Sequence, residues 1–176
     1  MKAHSSTVRT VALSQDASLI LSGSNDKTLK VTSLQDRKFL FSINAHNNYV
    51  RSAEFSPDTR LIASGSEDQT VKIWDFTSRN IISTLSDHTE PVTCVRFHPD
   101  GTCVAACSDD KSIKIWDIRS QRLIQHYDAH KDKVTSIAFH PNGRYLVSGS
   151  KDDTVKIWDL RQGHILYSLY GHAGPV

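Results

Sequence analysis

Serine, histidine and aspartate, the residue types of an acyl-transfer triad, recur together along this chain: His4, Ser22 and Asp26; His46, Ser64 and Asp68; His130, Ser148 and Asp152. A triad uses serine as nucleophile, histidine as base and aspartate to orient the histidine. One nucleophile does not need several copies on equivalent units, and two of these sets add a tryptophan, Trp74 and Trp158. The pattern favours a structural reading in which His, Ser, Asp and Trp hydrogen-bond in series and tie a loop to two strands. His88, Asp110 and Trp116 belong to a further set in which Ala106 takes the place of serine, and Thr32-Ser33 replaces Trp-Asp in the first. Those two units are expected to be held less firmly, because losing one member of a buried network costs about 1–3 kcal/mol.

The elements that would position these residues repeat without an insertion. His4, His46, His88, His130 and His172 stand forty-two residues apart, and Trp74-Asp75, Trp116-Asp117 and Trp158-Asp159 keep the same spacing. A period in the low forties ending in Trp-Asp is the signature of four-stranded propeller blades. Each period holds four short runs rich in Val, Ile, Thr and aromatics, such as YVRSAEFS, RLIASGS, TVKIWD and NIISTLS, parted by polar turns. The expected fold is all-β: four four-stranded antiparallel blades at about 7–44, 49–86, 91–128 and 133–170, with 171–176 opening a further repeat. Apolar positions in the first strands, such as Val50, Ala53 and Phe55, are spaced three then two, which breaks strict alternation. That spacing predicts a β-bulge that turns a side chain such as Arg51 off the sheet face. A blade must bury both faces, so uncovered terminal blades would drive self-association or recruit a partner.

Composition excludes several classes. An apolar fraction of 38% with 23% charged residues suffices for a core. The formal charge of +2 is spread along the chain, which implies no nucleic-acid partner. Three cysteines, Cys94, Cys103 and Cys107, lie in apolar runs and suit small buried thiols in a reducing compartment. No signal peptide or membrane-length apolar run is present, so the cytoplasm or nucleus is the expected location. Cys103 and Cys107 lack the further ligands of a zinc site, and no cofactor motif occurs. His98 and His140 precede proline and read as exposed turn residues. Lys30, Lys72, Lys114 and Lys156 recur on the third strands and read as snorkelling side chains at the rim.

The segments VKIWD, IKIWD and VKIWD, with Gly171-His172, resemble the WD-repeat β-propeller family over the whole chain. Departures are Thr32-Ser33 for Trp-Asp, and Ala3, Ala45, Asp87 and Ala129 for the glycine before histidine. The resemblance implies a ring that usually closes with seven blades, of which residues 1–176 would be part. It also implies binding hot spots on the narrow top face, at the residue opening each first strand, two residues later, and just before the tetrad aspartate. Those positions are Thr7, Arg9 and Asn25; Tyr49, Arg51 and Glu67; Pro91, Thr93 and Asp109; Lys133, Thr135 and Lys151. Tyr49 with Arg51 is the expected anchor, since aromatic and arginine side chains dominate interface energetics; the competing reading is of solvated loop residues.

The longer stretches RKFLFSINAHNNYVRSAEFSPDTRLIASGSEDQTVKIWD and LRQGHILYSLYGHAGPV are similar to the later repeats of the proteome-of-centriole protein one family. That similarity implies a non-enzymatic scaffold of centrioles and basal bodies, within the cytoskeleton, that associates with tubulin in triplet microtubules and stabilises the organelle. A second resemblance competes. Trp116-Asp117-Ile118-Arg119 and Trp158-Asp159-Leu160-Arg161 resemble the paired WDxR motif of cullin-RING ubiquitin-ligase substrate receptors, with Arg119 and Arg161 as adaptor-binding residues.

Overall fold

The computed structural model describes residues 4–172, Gly174 and Val176. Ala3, one of the departures before histidine, and Ala173 and Pro175 of the fifth-repeat opening lie outside the described residues. Sixteen strands form four sheets of four. Blade 1 holds β1 (Val8–Leu13), β2 (Leu19–Ser24), β3 (Thr28–Ser33) and β4 (Lys38–Asn44). Blade 2 holds β5 (Val50–Phe55), β6 (Leu61–Ser66), β7 (Val71–Asp75) and β8 (Ile81–Leu85). Blade 3 holds β9 (Val92–Phe97), β10 (Cys103–Ser108), β11 (Ser112–Asp117) and β12 (Arg122–Asp128). Blade 4 holds β13 (Val134–Phe139), β14 (Tyr145–Ser150), β15 (Thr154–Asp159) and β16 (His164–Tyr170). Every sheet is an antiparallel meander in sequence order. No described helix is long and apolar enough to cross a membrane.

Both faces of an inner blade are buried, so its central strands read as nearly continuous apolar runs instead of alternating ones. In β6 one face sends Ile62 toward blade 1 while the other sends Ala63 toward blade 3, and both are fully buried. The core is accordingly three clusters, one between each pair of neighbouring blades. Leu21, Leu29 and Val31 meet Val50, Ala53 and Trp74 in the first; Val71 and Ile73 meet Val92 and Trp116 in the second; Ile113 and Ile115 meet Val134 and Trp158 in the third. The first strands line the inside of the arc, β1 packing on β5, β5 on β9 and β9 on β13. Among the described residues β13 and β1 share no comparable packing, so the arc is open.

Two bulges interrupt each blade. The first falls at Arg9, Arg51, Thr93 and Thr135, where the pairing of first and second strands skips one residue. This is the irregularity that the spacing of Val50, Ala53 and Phe55 predicts. The second skips Leu40, Ile82, Ile124 and Leu166 on the outermost strands. Its sequence signal is the doubled apolar pair that each outer strand carries at that point, Ile81-Ile82 in blade 2, where alternation would place a polar residue.

Candidate functional site

The recurring polar sets hold the top loops in place. In blade 2 the His46 Nδ1–H donates to Asp68 at 3.0 Å, the Ser64 hydroxyl meets His46 Nε2 at 2.8 Å, and the Trp74 indole N–H donates to Ser64 Oγ at 3.0 Å. An ionised carboxylate only accepts, so Nδ1 carries the proton and Nε2 is left to accept from the serine. Blade 4 repeats the arrangement through Asp152, His130, Ser148 and Trp158, at 3.0, 2.7 and 2.9 Å. Burial alone would raise the Asp68 carboxyl. Hydrogen bonds from His46, Thr70 and the Asn47 amide outweigh it and hold that group far below the usual carboxylate range. Asp26, Asp110 and Asp152 are depressed in the same way, against the same burial. Ser64 and Ser148 are fully buried beneath their tryptophans, so no substrate can approach either oxygen.

Blade 1 keeps His4 on Ser22 at 2.8 Å and on Asp26 at 2.9 Å, and Thr32 contributes no indole. Blade 3 departs further. His88 donates to Asp110 at 2.7 Å, but with Ala106 in place of serine its Nε2 is buried without a partner. Trp116 therefore does not join the series that the sequence pattern implies: its indole donates instead to Asp87 Oδ2 at 2.7 Å. The residue that replaces the glycine before histidine has become the acceptor that serine would have been.

The lysines of the third strands do more than cover apolar surface: Lys72, Lys114 and Lys156 donate to the backbone carbonyls of Ala45, Asp87 and Ala129 at 2.9, 2.6 and 2.6 Å. Each thus clamps the loop residue before a tetrad histidine, while Lys30 lies over the Phe39 ring at 5.8 Å. His98 is half-buried, not an exposed turn residue; its ring stacks edge-on against Phe139 at 5.2 Å and its Nε2 donates to the Gly143 carbonyl at 2.8 Å.

The clamped loops surround a depression of about 450 Å³ at the top of the arc, lined by Arg9, Arg51, Thr93, Asp109, Lys133, Thr135 and Lys151. Four of these are the bulge residues, which is why their side chains leave the sheet faces. The residue opening each first strand contributes backbone: the carbonyls of Thr7, Tyr49, Pro91 and Lys133 accept from the amides of Asn25, Glu67, Asp109 and Lys151 at 2.9–3.0 Å. Tyr49 itself is exposed outside the depression, so it does not share a wall with Arg51. Arg9 donates to the neutral Asn25 amide at 3.0 Å, Arg51 to Glu67 at 2.7 Å, and Lys133 reaches across from blade 4 to Asp109 at 2.7 Å. The Asp109 hydrogen bond holds the Lys133 ammonium above its usual range. Lys151 has no ion-pair partner among the described residues, and with Arg9 it leaves the mouth net cationic. Thr93 sits between blades 3 and 4, its hydroxyl donating to the Val134 carbonyl at 2.6 Å, and the Thr135 hydroxyl donates to the carbonyl of Val176 beyond blade 4. Those two hydroxyls are engaged by the fold before any partner arrives.

The mouth and the series of polar clamps can be set against known families. The family described as the WDR36/Utp21 second beta-propeller domain matches residues 41–170, and the WD domain, G-beta repeat, matches residues 1–33. This chain belongs to the WD-repeat β-propeller family. No curated protein matches it. WD-repeat propellers generally act as non-enzymatic scaffolds for protein interaction, a role that suits a rigid array whose serines are sealed and whose loops are clamped. Neither family description names a centriole protein or a ligase. Arg119 and Arg161 of this WD-repeat chain are exposed on turns that follow the third strands, at the end of the blades opposite the mouth. Arg161 also borders a groove between blades 3 and 4 with His98, Gln125 and Arg144, whereas Arg119 lies outside it.

Proposed function

We propose that this WD-repeat chain is a non-enzymatic scaffold of centrioles and basal bodies that grips tubulin or another wall protein of the triplet microtubules through the top-face mouth. The observation that carries the mode of binding is the convergence of bulge residues from all four blades on one cationic depression. Rigid clamps beneath the loops mean that little entropy is lost when a partner docks. Arg9 and Lys151, the two lining cations without a carboxylate partner among the described residues, favour an acidic protein surface and make association sensitive to salt. The organelle assignment is supported by the resemblance of residues 37–75 and 160–176 to the centriole family.

Proximity labelling in ciliated cells tests the proposal, with the chain compared against an Arg9→Glu/Lys151→Glu variant. Tubulin and centriole wall proteins should be enriched by the parent chain and lost with the variant. Equal enrichment by both would remove the mouth from the account, and no centriole enrichment by either would remove the organelle. A second reading, adaptor binding in a cullin-RING ligase, draws on the exposure of Arg119 and Arg161 on equivalent turns of neighbouring blades. Under that reading Arg119→Ala/Arg161→Ala abolishes recovery of a cullin adaptor while the mouth variant leaves it intact.

A further inference from the structure

At the end of the blades opposite the mouth, a groove of about 560 Å³ opens where blade 3 meets blade 4. Both of its walls belong to blades that already cover each other, so its shape does not depend on what stands beyond blade 1 or blade 4. The residue types account for it. Leu19 and Leu61 pack on the first and second interfaces, whereas the same repeat position in blade 3 is Cys103, a side chain two heavy atoms shorter. Phe41 meets Phe76 at 5.5 Å across the first interface, and their counterparts at the third are Gln125 and Leu160. A core position that loses volume leaves a cavity unless its neighbours collapse. Phe139 shows that they have not: Phe55 and Phe97 at its position are 5% and 6% exposed, and Phe139 is only half-buried.

The groove has an apolar floor and a rim that is left with donors. Cys103, Ile115, Phe139 and Leu160 make the floor, and Ile124, skipped by the bulge in the outermost strand, is 51% exposed at the lip. The acceptors around it are engaged within the fold. The Gly143 carbonyl accepts from His98 Nε2 at 2.8 Å, the Leu160 carbonyl from Gln125 Nε2 at 2.7 Å, and Gln125 Oε1 from the Tyr127 hydroxyl at 3.0 Å. Asp100 accepts from the Thr102 amide and hydroxyl at 2.8 and 2.7 Å, and Asn142 Oδ1 from the Arg144 amide at 2.9 Å. Arg144 is itself held by Asp159 through Nε and Nη2 at 3.1 and 2.9 Å. Arg161 is engaged only through its backbone amide, which donates to Asp159 Oδ1 at 2.9 Å. Its guanidinium is exposed and has no ion-pair partner among the described residues.

We propose that this groove is a second docking site, which takes a short segment of a partner protein carrying one large apolar side chain and a carboxylate a few residues away. The apolar side chain fills the volume that Cys103 gives up, on the floor of Ile115, Phe139 and Leu160. The carboxylate meets the free Arg161 guanidinium, whose planar fork suits a bidentate pair. An apolar anchor in a pocket with arginine beside it is the composition of interface hot spots. A basic segment is disfavoured, since Arg144 and Arg161 both stand on the blade 4 wall. The inference rests on the scaffold role of the WD-repeat family and is independent of the mouth and of the organelle. It also differs from the adaptor reading, which needs Arg119, a residue outside the groove.

An array of short Gly/Ser peptides tests it, each carrying one Leu, Phe or Trp and one Glu at varied separation, probed with the 176-residue chain and followed by fluorescence polarisation. Peptides with both residues should bind, and exchanging the apolar residue for Ser or the Glu for Lys should weaken binding by about tenfold or more. Cys103→Leu installs the residue of blades 1 and 2 and should close the groove, with a similar loss. Arg161→Glu should match it; because Arg161 is exposed, this variant keeps the fold and decides the matter even if the core variant disturbs packing. Arg119→Glu and Arg9→Glu/Lys151→Glu should bind as the parent chain does. Failure of every peptide, indifference to Arg161→Glu, or an equal loss with Arg119→Glu would overturn the proposal. So would 4-phenylbutyrate binding as tightly as the peptides, which would make this a small-carboxylate site. A doubled mass in light scattering that Cys103→Leu returns to 19.7 kDa would give the groove to a second copy, and would overturn it too.

Discussion

Blades 2 and 3 are built on one plan, and four of the places where they differ are linked. Where blade 2 has Ser64, Gly65 and Ala45, blade 3 has Ala106, Cys107 and Asp87. Ser64 joins His46 to Trp74, and both rings are satisfied. Ala106 can join nothing, so Trp116 turns to Asp87 and His88 Nε2 is stranded. Beside it, the pair Ser52 and Gly65 becomes the pair Cys94 and Cys107, facing each other across the first two strands and both buried. The comparison teaches that the clamp is modular: the indole can be rescued from a neighbouring loop position, whereas the inner nitrogen of histidine is served only by the serine. Blade 3 keeps its place in the array because packing, with Trp116, Val92 and Val95 nearly fully buried, carries most of the stabilisation.

The largest effect is expected where blade 2 is made to resemble blade 3 without its rescue. Ser64→Ala strands both His46 Nε2 and the Trp74 indole, since the Ala45 side chain has no acceptor and its carbonyl is held by Lys72, and should cost about 2–4 kcal/mol in urea unfolding. A loss below about 1 kcal/mol would mean that water replaces the serine. Gly65→Ala probes the neighbouring difference. Its new Cβ would lie 2.5 Å from Val95 Cγ2 and 2.6 Å from Val92 Cγ1, both held in the core between blades 2 and 3. Overpacking of that kind costs about 1–3 kcal/mol, read as a lowered thermal midpoint.

The comparison is sharpened by repairing blade 3. Ala106→Ser should stabilise by about 1 kcal/mol by giving His88 Nε2 a hydroxyl donor. Asp87→Ala alone should destabilise by about 1–3 kcal/mol through the orphaned indole. In the Ala106→Ser background that loss should shrink, because the new oxygen accepts the indole as Ser64 does. A double-mutant cycle measures the coupling; additive changes would show that the two acceptors are not interchangeable.

The smallest effect is the pH dependence shared by complete and incomplete clamps. Burial holds His130 below its usual value of about 6.5 despite Asp152. Its neutral form is therefore favoured by folding, so its contribution is full above about pH 6.5 and is lost as pH falls below it. The depressed aspartates 26, 68, 110 and 152 act in the same direction lower down, their contribution being present above about pH 4 and lost in more acid solution. A thermal midpoint that slips modestly from pH 7.5 to 5 and steeply below pH 4 is expected. A midpoint that rises on acidification would contradict the protonation states assigned to the clamps.

Much of this was legible in the chain. The 42-residue period carries the blades because one blade cannot bury its own faces and must repeat a surface that fits its neighbour. The bulges at Arg9, Arg51, Thr93 and Thr135 were legible because a skipped residue shifts the apolar spacing from two to three. The Trp116–Asp87 bond was not, since Asp87 appears in the sequence only as a missing glycine. Nor were the lysine clamps on Ala45, Asp87 and Ala129, because a carbonyl acceptor has no residue type to read.

The sequence by itself determined the repeat, the strand order within each blade and the residues of the clamps, because these depend on local spacing and on side-chain chemistry repeated in register. The tertiary structure decided which top-face positions share one mouth and which threonines are already engaged. Those are properties of how blades are stacked around an arc, where residues 42 or more apart meet, and no local pattern in the chain records that distance.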